Sequence, residues 1–239
     1  MRAPEYARFH ELSDLHEQHR HDDEGVAQQR TLVRRQDDRI GFETVDLISA
    51  AQKQPAFLAK NPIGKTPLLE LDDGFILSES TAITEYLDHV DGKPMFMGTT
   101  PRERATILMM QRRVEQLLLE PVDDFFHYGT PGLGKALAPW RMPEWDGRRE
   151  WGLRRGDMAR KGLAYFDRVL ADRPYLALET FTLPDITLYI SLLFAEVVGL
   201  TSPEHTALAA WRAKVDELPF VKNRTGQELL REDLARLSG

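Results

Sequence analysis

Between Ile40 and Val90 the hydrophobic pattern switches repeatedly between strand and helix spacing, whereas from Thr100 onward it keeps helix spacing alone. That switch restricts the chain to a small α/β unit followed by an all-helical unit. In the first unit, Phe42–Ile48 approximates a polar/apolar alternation and predicts a strand, and Ala50–Lys60 predicts a short helix. Pro67–Leu71 and Phe75–Leu77 flank Asp72-Asp73-Gly74, which predicts a hairpin. Ile83, Tyr86, Leu87 and Val90 then fall at i, i+3, i+4 and i+7, so Ser80–Val90 is expected to be an amphipathic helix capped by Ser78 or Ser80.

The stretch Lys93–Thr99 holds Pro94 and Gly98 and reads as a linker. Beyond it, Thr100-Pro101-Arg102-Glu103 is a capping box with proline at the first helical position. Ile107, Met110, Val114, Leu117 and Leu118 carry one face of that helix as far as Pro121, where it is expected to end. Gly129–Gly147 is expected to be a long connection, and Ala159, Leu163, Phe166 and Leu170 mark the next helix. Thr182 and Asp185 frame a second capping box, a structural role, and open a helix with Ile186, Ile190, Leu193, Phe194 and Val197 facing inward. Leu188 and Leu192 make it apolar on other sides too, as befits the centre of a bundle. Leu208, Trp211, Val215 and Leu218 give the last clear helix.

Composition removes several classes of function. A net charge of −7 disfavours a grip on nucleic acid or on an anionic membrane surface. The chain has no cysteine, so any thiol chemistry has to come from a ligand, and neither a disulfide framework nor a thiolate zinc site is available. No run approaches a membrane span, and the polar start lacks a signal-peptide segment, so the expected location is cytoplasmic. No metal is expected: His10, His16, His19 and His21 sit in a segment so polar that they read as composition.

The combination Phe57-Leu58-Ala59-Lys60-Asn61-Pro62-Ile63-Gly64-Lys65-Thr66-Pro67-Leu68-Leu69-Glu70, Asp73-Gly74 and Leu77-Ser78-Glu79-Ser80-Thr81-Ala82-Ile83-Thr84-Glu85-Tyr86-Leu87 closely resembles the glutathione site of the glutathione S-transferase family. The box at Thr182–Asp185 is similar to that family's helical-domain capping signature, and Pro94–Gly98 to its linker. The resemblance implies a thioredoxin-like α/β domain with a mixed sheet at 40–92, a linker at 93–99, an all-helical domain at 100–224 and a tail at 225–239. It also implies a homodimer that transfers the thiol of glutathione to a small, mostly apolar electrophile, or, as the alternative, a binding or scaffolding relative without turnover.

By that resemblance Pro67 is a cis-proline that turns the main chain of Thr66 toward the cysteinyl part of glutathione. Glu79 and Ser80, at a helix start, hold the γ-glutamyl end, and Lys65 reaches a carboxylate. Taken singly, each has a plainer reading: Ser80 a helix cap, Thr66-Pro67 the start of a strand, Lys65 a solvated turn residue. Phe125–Tyr128 would line a second-substrate pocket or belong to the core.

The first 39 residues depart from the family. They hold 16 charged and 11 apolar residues and show neither the first strand nor the Ser, Cys or Tyr loop that family members use on the glutathione sulfur. Disorder, an altered reading frame or a replaced start would each account for this. The catalytic residue is therefore unassigned, with Tyr6 and Ser13 only formal candidates.

Overall fold

The computed structural model describes residues 7–10, 40–43, 45, 50–130 and 147–222. A four-stranded sheet in the order β2-β1-β3-β4 opens the fold, built from β1 (Ala7–His10), β2 (Ile40–Glu43), β3 (Leu68–Leu71) and β4 (Ile76–Ser78). β1 runs parallel to β2, pairing Ala7 with Ile40, and antiparallel to β3, pairing His10 with Leu68. This corrects the expectation of a sheet without a first strand. A four-residue strand carries too little side-chain pattern to be read locally, and its pairing is supplied by neighbours on both sides. The tail at 225–239, Tyr6, Ser13, His16, His19 and His21 lie outside the described residues.

The expected helix at Ala50–Lys60 is split into a 3₁₀ turn, Ala51–Lys53, and α1, Pro55–Lys60, with proline at its first position. The β3–β4 hairpin forms around Gly74, whose φ of 84° suits glycine, and Asp73 Oδ1 accepts from the Phe75 N–H at 2.8 Å. Helix α2 (Ser80–His89) packs Ile83 and Leu87 onto Leu69 of the sheet.

In the helical unit, α3 (Pro101–Val114) starts with the expected box: Glu103 accepts from the Thr99 and Thr100 N–H groups and donates its own N–H to Thr100 Oγ1. Those donors lower the Glu103 carboxyl to about 2. The helix does not stop at Pro121. It widens into a π turn over Glu115–Leu119, passes through α4 (Glu120–Asp124) and widens again over Phe125–Gly129. Pro121 has no N–H to give Leu117, and the wide turn just before it lets the chain continue. Leu117, expected on the same face, is exposed, while Leu118 and Val122 are buried.

Helix α5 (Arg149–Ala171) lies against this segment through a stripe of small residues, Gly152, Gly156, Ala159 and Gly162. A Cβ on Gly162 would sit 2.0 Å from the Leu117 carbonyl oxygen, and one on Gly152 2.3 Å from the Gly129 nitrogen. Helix α6 (Leu183–Val197) is the centre of the bundle, with Leu188, Tyr189, Leu192 and Ala195 buried; Ile190, Leu193, Phe194 and Val197, expected to face inward, are only partly so. α7 (Thr206–Asp216) adds Leu208, Trp211 and Val215, and the short α8 (Pro219–Lys222) follows.

At the head of α6, Asp185 accepts from the Leu176 N–H and from the Thr182 N–H and hydroxyl, each at 2.9 Å. Burial still pushes its carboxyl up to about 6, against those donors and the charge of Lys214. The folded state therefore holds a proton there that an ordinary carboxyl, near 3.8, releases. The associated stability is complete below about pH 4 and is lost as pH rises through about 6. Between pH 4 and 7 the wild type is expected to lose on the order of 2–3 kcal/mol relative to Asp185→Asn, read from urea unfolding. A gap of the opposite sign would mean that the three donors outweigh burial.

Candidate functional site

The loop leading into β3 is held in place from within. Asn61, buried, donates from Nδ2 to the Lys65 carbonyl at 2.8 Å, and its Oδ1 accepts from the Ile63 N–H at 3.3 Å. Gly64 takes a φ of 62°, and a Cβ there would lie 2.8 Å from the Gln52 carbonyl oxygen. From behind, Lys53 Nζ donates to the carbonyls of Gly64 at 2.9 Å and Ile63 at 3.3 Å. Lys65 is exposed and Thr66 part-exposed; the Thr66–Pro67 bond is cis, and Pro67 is buried.

The hairpin register brings the second half of the candidate site to the same place. Leu68 pairs with Ser78 at the end of the ladder, so Thr66-Pro67 and Glu79-Ser80 both lie one to two residues beyond it, at one end of the sheet. β1 also leaves the sheet at this end, because its last residue pairs with Leu68. Neither Ser78 nor Ser80 caps α2, which corrects that expectation. Glu79 occupies the cap position with a φ of 70°, and its side chain makes no capping hydrogen bond to the N–H groups of the first turn. A non-glycine residue held on the left-handed side is strained, and such strain collects where a site needs a particular backbone direction. The uncapped N–H groups and the helix dipole make this a favourable seat for a carboxylate.

Behind Ser80, α2 is tied to the helical unit. Thr81 Oγ1 donates to Glu115 Oε1 at 3.2 Å; Gln111 donates to the same oxygen at 2.9 Å and accepts from Thr187 Oγ1 at 2.9 Å. Farther along, Asp88 is buried and accepts from the N–H groups of Met95, Phe96 and Met97 at 2.8–2.9 Å, fixing the linker. Met97 then inserts beside Ile107 and Leu183.

Sequence reasoning missed the supporting groups Lys53, Asn61, Asp88 and Gln111. Only Asn61, ahead of Pro62 and Gly64, carries a local turn signal. Of the aromatic stretch, only Phe126 is buried, against Phe194 at 5.3 Å; Phe125, His127 and Tyr128 are part-exposed, and Tyr128 stands 5.2 Å from the exposed Trp151. Among the described residues, no three His, Cys, Asp or Glu side chains gather as metal ligands. No helix among them is long and apolar enough to cross a membrane.

A thioredoxin-like sheet unit joined to a helical bundle, with a cis-proline loop and the start of α2 at one end of the sheet, defines a class found among known proteins. The family model described as glutathione S-transferase, N-terminal domain, matches residues 28–90, and that of the C-terminal domain matches 156–219. Glutathione S-transferase 2 of Saccharomyces cerevisiae is 45% identical over 184 residues, 77% of this chain and 76% of that protein. The crystal structure of Gtt2 from Saccharomyces cerevisiae superposes with a TM-score of 0.71 at 44% identity, covering 77% of this chain and 86% of the other. A glutathione S-transferase domain-containing protein from Marinobacter aquaeolei gives 0.70 at 39% identity, over 77% and 87%. The chain belongs to the glutathione S-transferase family.

Proposed function

We propose that the protein is a glutathione transferase that joins the sulfur of glutathione to small, mostly apolar electrophiles. The 45% identity to a glutathione S-transferase over most of both chains is the observation that carries this reading. In it, the Thr66 main chain pairs with the cysteinyl part of glutathione, and Ser80 with the first-turn N–H groups of α2 receives the γ-glutamyl carboxylate. Glu79 meets the α-ammonium group, and Lys65 reaches the glycyl carboxylate. The convergence of these residues at one sheet end supports the assignment.

The chemistry is a substitution or addition at carbon. The thiol, with an ordinary pKa near 8.5, loses its proton to solvent, and the thiolate forms the new C–S bond. With an aryl chloride, the carbon–chlorine bond breaks and chloride leaves with its electron pair. We further propose a cytoplasmic homodimer with a detoxifying role, and a division into a glutathione-binding part at 40–92, a linker at 93–99 and a helical part at 100–224. The strand Ala7–His10 completes the sheet of the first part.

Calorimetric titration with reduced glutathione, followed by turnover of a nitro-activated aryl chloride, tests the proposal. Saturable binding and conjugate formation are expected. Ser80→Ala is expected to weaken binding about tenfold or more, the loss of one hydrogen bond to a charged group. No binding by the folded protein up to millimolar glutathione would overturn the reading. Binding without conjugate would replace it with that of a non-catalytic module.

A further inference from the structure

Besides the Thr81–Glu115 contact, a second tie joins α2 to α3, at the other end of α2. Arg104 of α3 ion-pairs through Nη2 with the Glu85 carboxylate, while its Nη1 lies 2.7 Å from Nε2 of His89. A guanidinium offers only donors, so Nε2 of His89 must be bare and accepting. The other ring nitrogen, Nδ1, lies 2.9 Å from the Glu85 carbonyl oxygen, which only accepts, so Nδ1 must carry the hydrogen. Contacts on both sides thus fix a neutral ring in one tautomer. The charged groups set against it are Arg104 from α3 and, from its own helix, the Glu85 carboxylate, 3.8 Å from Nδ1. The side chain is 33% exposed, on a groove of about 420 Å³ lined also by Phe75, Leu77 and Tyr86, so a solvent proton can reach it.

We propose that His89 is a pH-sensitive latch between the sheet unit and the helical bundle. Protonation turns the Nε2 acceptor into a donor, which Arg104 cannot meet. The imidazolium then competes with Arg104 for the Glu85 carboxylate, so the α2–α3 tie loses its His89 contact and its ion pair is weakened in favour of a pair within α2. Histidine is the side chain whose ordinary titration falls between pH 5 and 8. Because His89 ends α2 next to Asp88, which anchors the linker, the seam between α2 and α3 loosens at its linker end on acidification.

Nitrogen-15 NMR of the histidine rings, combined with amide hydrogen exchange corrected for the intrinsic effect of pH, tests the latch on the full-length protein. His89→Gln serves as the variant that keeps an acceptor for Arg104 without a titrating proton. At pH 8 the His89 ring is expected to carry its hydrogen on Nδ1. From pH 7 to 5, protection of the α2 and linker amides is expected to fall about two- to fivefold in the wild type, the scale of a part-exposed ion pair, and to hold in the variant. A hydrogen on Nε2 at pH 8, or an equal fall in both proteins, overturns the proposal. Should the variant not fold, the ring signals of the wild type decide alone.

Discussion

Replacing Gly162 by alanine is expected to cost the protein about 3 kcal/mol or more of stability, read as a fall in the urea midpoint. In an isolated helix the same change is favourable by about 1 kcal/mol, because alanine is the better helix former. The packing decides the sign here. The new Cβ would lie 2.0 Å from the Leu117 carbonyl oxygen, a main-chain atom that cannot rotate away. α5 would have to lift off the Glu115–Gly129 segment, breaking contacts that Leu118, Val122, Leu163 and Phe166 make in the main core. A variant as stable as the wild type would show that the two helices do not approach in this way.

Asp88→Ala is the second large effect, expected at about 2–4 kcal/mol from the loss of an acceptor shared by three N–H groups. The carboxylate is buried and serves the N–H groups of Met95, Phe96 and Met97 together. Alanine would leave these donors without that acceptor, next to a methionine buried at the seam. Since α2 also carries Glu79 and Ser80, glutathione affinity is expected to fall along with thermal stability. Asp88→Asn keeps an acceptor oxygen and is expected to lose less of both. Equal losses in the two variants would mean that side-chain size, rather than the accepting oxygens, holds the linker.

Features set by neighbours in the chain were legible in the sequence. The hairpin, both capping boxes and the inward faces of α5 and α7 follow from local spacing and turn chemistry, and the structure has them. Thr66, Pro67, Glu79 and Ser80 were legible only as a combination, through resemblance. The strand Ala7–His10 was not, because its pairing comes from Ile40–Glu43, 33 residues away, and Leu68–Leu71, 58 to 64 residues away. Nor was the cap of α2: two serines flank the position, yet the turn out of β4 puts Glu79 there. Lys53 escaped notice because it serves main-chain carbonyls, which leave no mark in a sequence. Pro121 misled in the other direction, reading as a stop where the helix instead widens.

That widening sets the rotational phase of the whole segment. Val114, Leu118, Val122 and Phe126 are buried at steps of four residues. In a regular α-helix each such step overshoots a full turn by about 40°, so a stripe of this period would wind out of the core after about three steps. The two wide turns take up the overshoot. Deleting a single residue within Glu115–Leu119 would close that wide turn to a regular one; the rotation lost with the residue, about 100°, is largely restored as the remaining residues tighten, so Val122 and Phe126 would keep facing the core. A deletion in the regular turns of Pro101–Val114 has no such slack and would rotate the two halves of the segment by about 100° relative to one another. The same loss of one residue would thus be absorbed in one stretch and disruptive in the other.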